Sequence, residues 1–109
     1  MKKGPTNPKD VQCRNPLPGI FLRPLTYNDN VMMCHFTLEP GAEIPLHDHK
    51  ENQIGCVLKG KLKFFTDTRE FIGQPGDSYV FDPNEKHGAT AIEHSEVLEI
   101  FSPARDDYK

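Results

Sequence analysis

Short β-favouring runs broken by glycine and proline are the feature that most constrains the fold of this chain. The runs occupy residues 31–38, 53–58, 61–65, 70–72, 78–81, 88–92 and 97–101. Gly41 and Gly76 each follow a proline, the order that a type II turn prefers. Gly60 lies between two of the runs, where a hairpin turn is expected. No stretch keeps a helical period over three turns. Many short strands at close spacing predict an all-β sandwich, barrel or jelly roll.

The N-terminal segment differs from the rest of the chain. It holds the prolines Pro5, Pro8, Pro16 and Pro18, too many for a regular helix or a central strand. We therefore expect residues 1–19 to form an extended arm that lies on the barrel or on a neighbouring subunit. Residues 20–109 are then the barrel itself, and a chain of 109 residues leaves little room for a second domain.

Composition and charge narrow the classes of function. The net charge of −3 argues against a nucleic-acid partner held through its phosphates. No apolar run approaches the length of a membrane span, and the lysines after Met1 are not followed by the apolar core of a secretory signal. We therefore expect a cytoplasmic protein. The three cysteines form no C-x-x-C pair, so the sequence does not indicate redox or metal chemistry for them.

His47 and His49 are the first candidate metal ligands. They lie two positions apart, so in an extended strand both imidazoles point to the same side. Imidazole pairs suit divalent transition metals such as zinc, nickel, iron or copper. An H-x-H pair alone is weak evidence, because two surface histidines give the same pattern. The residues around it therefore decide the interpretation.

The spacing around this pair resembles the first cupin motif, G-x5-H-x-H-x3,4-E-x6-G. Gly41, His47, His49 and Gly60 match that pattern, and Gln53 stands at the position of the acid. A neutral amide in place of a carboxylate is the one departure in this motif.

A second separated segment resembles the second cupin motif. Gly76 and His87 keep the family's separation of eleven residues. Asp82 stands where the family has proline, and Asn84 stands where it has glycine. Asparagine tolerates the left-handed backbone that glycine would supply, so we expect the turn to survive.

The two motifs imply an all-β fold, a single-domain cupin double-stranded β-helix or jelly-roll barrel. They also imply one divalent metal ion inside it, held by His47, His49, Gln53 and His87. The identity of the ion stays open among nickel, zinc, iron, manganese and copper. Because three imidazoles and an amide carry no charge, the +2 charge of the ion is uncompensated. We expect such a site to favour an anionic ligand, such as a carboxylate, an enolate or hydroxide.

The C-terminal stretch carries a narrower resemblance, to the pectin-degradation cupins that linearise unsaturated uronates. In that family the fourth ligand is glutamine followed by Ile-Gly, as at Gln53. The family's C-terminus has the pattern V-L-D-x-F-S-P-x-R-E-D-Y, with which residues 97–108 align. The resemblance puts the family's catalytic aspartate on Glu99, its aromatic neighbour on Phe101 and its arginine on Arg105. Glutamate is one methylene longer than aspartate, and catalysis is sensitive to shifts of about 1 Å, so this departure bears on the activity.

The resemblance implies a metal-dependent, isomerase-type opening of 4,5-unsaturated uronates from pectin or alginate breakdown to linear 5-keto-4-deoxyuronate. Glu99 would move the proton, Arg105 would hold the anion, and Phe101 would pack against the sugar ring. The expected partners are a small anionic sugar acid and a second copy of the chain in a homodimer. Two alternatives stay open: another metal-dependent cupin enzyme such as a dioxygenase, or a non-catalytic cupin that binds a metal or a sugar acid.

Overall fold

The computed structural model describes residues 1–109, which form ten strands and two single turns of 3-10 helix. The strands are β1 Arg14–Leu17, β2 Ile20–Tyr27, β3 Met32–Leu38, β4 Glu43–His47, β5 Asn52–Lys59, β6 Leu62–Thr66, β7 Glu70–Gly73, β8 Ser78–Phe81, β9 His87–Ala91 and β10 Ser95–Ser102. The 3-10 turns span Pro8–Asp10 and Asp106–Tyr108.

The strands make two antiparallel sheets that pack face to face. The six-stranded sheet has the order β1-β2-β3-β10-β5-β8, and the four-stranded sheet has the order β4-β9-β6-β7. Inward-facing side chains of both sheets form one apolar core, to which Leu38 and Val97 contribute from one sheet and Leu62 and Ala91 from the other. The all-β, single-domain jelly-roll prediction is confirmed. No helix in the structure is both long enough and apolar enough to cross a membrane.

Seven of the strands, β3 and β5 to β10, fall on the predicted runs. The turn residues between them also adopt the expected backbone, since φ is +84° at Gly41, +90° at Gly60 and +93° at Gly76. Asn84 is the one non-glycine residue with positive φ, at +64°. Asparagine therefore does supply the left-handed conformation that this turn requires.

Strands β1, β2 and β4 are not among the predicted runs, although His47 at the end of β4 was expected on a strand. For β1 and β2, proline is the reason. β1 lies within the N-terminal segment and forms the outer edge of the six-stranded sheet. β2 contains Pro24, which has no N–H for a sheet ladder. The pairing of β1 with β2 spans only Ile20 to Leu22 on the β2 side, so Pro24 lies beyond it and no ladder bond to β1 is lost.

Candidate metal centre and active site

Three histidines from different parts of the chain meet at one end of the barrel. His47 ends β4 and His87 begins β9, and the two are direct partners in the ladder between these strands. His49 lies two residues beyond β4, so the connection to β5 positions it rather than strand alternation. One ligand atom from each of the three rings lies within 4.8 Å of the other two. This group could hold a metal ion.

Backbone carbonyls fix the tautomer of each ring. Every Nδ1 lies at hydrogen-bond distance from a carbonyl oxygen two residues away along the chain. The pairs are His47 with Pro45 at 2.9 Å, His49 with Glu51 at 3.0 Å, and His87 with Glu85 at 2.7 Å. Because a carbonyl oxygen only accepts, each Nδ1 carries the hydrogen and each Nε2 is left with a lone pair. Metal-bound histidines typically have this second hydrogen bond.

Gln53 brings a fourth donor atom to the same point. Its Oε1 lies 2.9 Å from His49 Nε2 and 3.1 Å from His87 Nε2. Since neither Nε2 carries a hydrogen, three lone pairs converge without a proton between them. Adjacent ligands of an octahedral ion with bonds of about 2.1 Å lie about 3.0 Å apart. The residues present therefore fit a divalent metal ion.

Burial keeps two of the rings in the form that binds metal. It lowers the pKa of His49 and lowers the pKa of His87 to about 4, mainly because the charged imidazolium loses solvation. The His87 ring also stacks on Phe81, with centroids 4.3 Å apart and planes 9° apart. At neutral pH both rings are therefore uncharged and their lone pairs are available.

Glu99 is a buried carboxyl beside this group. It lies in the middle of β10, is only 4% exposed, and accepts a hydrogen bond from the Tyr79 hydroxyl on Oε1. Burial raises the pKa of Glu99 to about 7, and the Tyr79 hydrogen bond and the nearby Gln53 amide oppose this shift. Its Oε2 has no hydrogen-bond partner within 3.5 Å. A carboxyl with a pKa near neutrality can both accept and return a proton.

One cavity joins the candidate ligands to the candidate catalytic residues. Its volume is about 60 Å³, and its lining is mostly apolar. The predicted site residues in the lining are His47, Gln53, His87, Glu99, Phe101 and Arg105. His49 does not line the cavity, but its ring lies 5.7 Å from the Phe101 ring, centroid to centroid. The structure thus brings all seven predicted site residues to one place.

Comparison with known proteins shows the family of this chain. Residues 34–102 match the Cupin domain family. The chain belongs to the cupin family.

This cupin is similar to "Pectin degradation protein KdgF" of Dickeya dadantii (strain 3937), at 33% identity over 92 residues, which cover 83% of this chain and 84% of the relative. The solved structure of KdgF from Halomonas sp. is 28% identical, with a TM-score of 0.90 over 95% of this chain and 96% of that one. An RmlC-like cupin from Shewanella frigidimarina NCIMB 400 has the same fold, with a TM-score of 0.92 and 24% identity over 100% of both chains.

Arg105 enters the cavity of this cupin just beyond the last strand. Its guanidinium lies 4.1 Å from the centre of the Tyr108 ring and 5.2 Å from that of Phe101. Its Nε and Nη2 donate to the carboxylate of Asp107 at 3.2 and 3.0 Å. The arginine is therefore held by stacking and by a neighbouring carboxylate, with its side chain only 14% exposed.

The N-terminal segment contacts the C-terminal segment that carries these residues. Arg14 donates from Nη1 to the carbonyl of Asp107 at 3.2 Å and from Nη2 to the carbonyl of Lys109 at 2.9 Å. Tyr108, between them, packs edge-on against Phe36 and Phe101 and lines the cavity. One wall of the cavity thus depends on a contact with β1.

Tyr79 and Tyr108 have contacts at the site that the sequence analysis does not assign. Tyr79 is 8% exposed. A buried tyrosine hydroxyl usually has a hydrogen-bond partner, so a partner for Tyr79 could be expected in general terms. The sequence could not name that partner, because β8 and β10 are separated by β5 in the sheet.

Proposed function

We propose that this cupin opens the ring of 4,5-unsaturated uronates to give linear 5-keto-4-deoxyuronates in a metal-dependent isomerisation. The observation that carries the proposal is the shared cavity, in which Glu99, Phe101 and Arg105 lie beside the three-histidine group. Similarity to a pectin degradation protein supports a substrate from pectin breakdown. Lyases that cut such polymers by β-elimination leave a cyclic enol ether that is also a hemiacetal.

The proposed reaction moves one proton and breaks one bond. The hemiacetal hydroxyl on C1 loses its proton, the bond between C1 and the ring oxygen breaks, and an aldehyde forms at C1. The electron pair of that bond stays on the ring oxygen as an enolate, and protonation at C4 gives the 5-keto product. No oxidant or reductant is consumed, so the reaction is an isomerisation.

Glu99 is the residue proposed to move the proton. Its carboxyl lines the cavity, and its pKa of about 7 makes acceptance from the C1 hydroxyl and return to C4 both accessible at neutral pH. A divalent ion held by His47, His49, Gln53 and His87 would supply Lewis acidity and positive charge for the developing enolate.

Arg105 and Phe101 are proposed to orient the sugar. The guanidinium has a planar set of donors that suits a carboxylate, and the buried Phe101 ring excludes water from one side of the cavity. The homodimer and the cytoplasmic location stay predictions, and sedimentation velocity tests the first.

The deciding experiment incubates the metal-loaded protein with an unsaturated monouronate. We expect the absorbance of the enol ether to fall and the open-chain product to appear by NMR. His87→Ala should abolish turnover, whereas His94→Ala, at an exposed turn outside the site, should keep it. Binding of the uronate without opening would leave a non-catalytic binding protein, and oxygen consumption with bound iron would indicate a dioxygenase.

A further inference from the structure

Glu99, Gly55 and Tyr79 lie in one row across three neighbouring strands. Glu99 in β10 is the register partner of Gly55 in β5, and Gly55 is the register partner of Tyr79 in β8. All three residues face the barrel interior, where Glu99 and Tyr79 are 4% and 8% exposed. Because adjacent strands lie about 4.8 Å apart, contact between the outer two must span about 10 Å of sheet.

Gly55 is what allows these two side chains to meet. A Cβ atom at position 55 would overlap Glu99 Oε2 and would lie only 2.7 Å from the Tyr79 hydroxyl oxygen. The carboxyl of Glu99 therefore occupies the space that any side chain at position 55 would need. No positive φ is recorded at Gly55, so room for the carboxyl, and not backbone conformation, explains the glycine.

Tyr79 engages one oxygen of the carboxyl and leaves the other without a partner. Its hydroxyl donates to Oε1 of Glu99, whereas Oε2 has no hydrogen-bond partner. Glu99 lines the cavity and Tyr79 does not, so the tyrosine contacts the carboxyl from behind the cavity wall. Losing a buried hydrogen bond is costly, so rotation of the carboxyl that moves Oε1 away from the Tyr79 hydroxyl is disfavoured.

We propose that Tyr79 and Gly55 are positioning residues for Glu99, an inference that rests on the acid/base role proposed above. Gly55 provides the room that the Glu99 carboxyl occupies, and Tyr79 anchors Oε1, so that the carboxyl keeps one orientation in the cavity wall. An aspartate, one methylene shorter, would leave the space over Gly55 that the Glu99 carboxyl fills.

The first test measures folding and needs no activity. Gly55→Ala should lower the melting temperature, and adding Glu99→Asp to the same chain should recover at least half of the loss, because the shorter acid leaves the space over position 55. Gly73→Ala is the matched control, since its Cβ would instead lie 2.7 Å from Phe64, and Glu99→Asp should not rescue it. If Gly55→Ala does not fold, the yield of folded double variant is the readout. Rescue of neither variant, or of both equally, overturns the proposal.

The second test is a double-mutant cycle on turnover. Tyr79→Phe should lower kcat by about 10- to 100-fold, the usual effect of a small misplacement, with metal content and KM nearly unchanged. In a Glu99→Gln background the same substitution should cost nothing further, because Tyr79 acts only through Glu99. Tyr27→Phe, on β2 and outside the cavity, is the control. An equal loss in both backgrounds overturns the positioning role.

The acid/base role of Glu99 and the positioning role of Tyr79 and Gly55 give different results in these experiments. If Glu99→Gln alone turns over uronate at the wild-type rate, the acid/base role of Glu99 is wrong, whereas the rescue of Gly55→Ala by Glu99→Asp still measures the packing of the row. If Glu99→Gln is inactive but neither test couples Tyr79 or Gly55 to Glu99, the acid/base role stands and the positioning role falls.

Discussion

His47 and His87 face each other across the ladder between β4 and β9, with their ring centroids 4.4 Å apart. One comes from the first motif and the other from the second, so the strand pairing of the smaller sheet joins the two motifs. An ion between them would bind the folded barrel and not the unfolded chain, in which these residues are far apart. Metal binding and folding would therefore be linked.

We expect close to one divalent ion per chain, measured by elemental analysis. His47→Ala and His87→Ala should each lose most of it, and His94→Ala should not. Because the ion binds only the folded state, free metal at 100 times its dissociation constant should raise the free energy of unfolding by about 2.7 kcal/mol. Wild-type protein that neither contains nor takes up metal would refute the site.

Gln53→Glu should bind the metal at least as tightly, because an anionic ligand replaces a neutral one. The same change removes one unit of positive charge from the site, so affinity for carboxylate ligands should fall. Isothermal calorimetry with the metal, and then with a small carboxylate, measures both effects. Tighter carboxylate binding by the variant would contradict the charge argument.

Glu99→Gln should keep the metal and the affinity for uronate but lose turnover by about 10²–10⁴-fold, the usual contribution of a general acid or base. The amide keeps the shape of the side chain but cannot accept the proton. Glu93→Gln, at an exposed turn, is the matched control and should be unaffected. Wild-type turnover by Glu99→Gln would make Glu99 a bystander.

Arg105→Ala should weaken uronate binding by about 10- to 100-fold, since a hydrogen bond to a charged group contributes about 1.5–3 kcal/mol. Arg105→Lys keeps the charge but not the planar set of donors, so it should recover only part of this loss. Equilibrium binding to metal-loaded protein separates this effect from the chemical step. Unchanged affinity in Arg105→Ala would exclude the guanidinium as an anion contact.

The stability of metal-free protein should depend on pH through Glu99. Its pKa is raised from 4.5 to about 7 on folding, so its stabilising contribution is complete below about pH 4.5 and is lost as pH rises through 7. Relative to Glu99→Gln, wild type should lose about 2 kcal/mol of unfolding free energy between about pH 5.5 and about pH 8.5. Urea denaturation with a chelator present measures this difference. A constant difference across that range would show that the pKa is not raised.

The spacing of residues along the sequence predicted those features that are determined by residues close together in the chain. The separation of Gly76 and His87 indicated the ligand of the second motif, and asparagine chemistry indicated the turn at Asn84, where φ is +64°. Strand β2 was not predicted, because Pro24 has no N–H for a sheet ladder. Only the sheet order and register show that β1 does not extend as far as Pro24. Sequence spacing also placed His49 on a strand, whereas it lies in the connection after β4.

Contacts between distant strands could not be predicted in this way. The row of Glu99, Gly55 and Tyr79 depends on the register of β10 with β5 and of β5 with β8. Nothing in the local pattern around Tyr79 specifies that register. The sequence therefore indicated that Glu99 faces inward, but not which residue would hold it there.

The carbonyls that orient the three imidazoles have a consequence for how such barrels diverge. Each lies two residues from its own histidine, so a short stretch of backbone is enough to aim each ring. Glu99, by contrast, is held by residues that come from two other strands. We therefore expect substitutions scattered through the sheet to displace the Glu99 carboxyl more readily than they displace the three imidazoles. A lineage of such barrels could then change or lose the proposed reaction over evolutionary time and still keep three imidazoles aimed at one point.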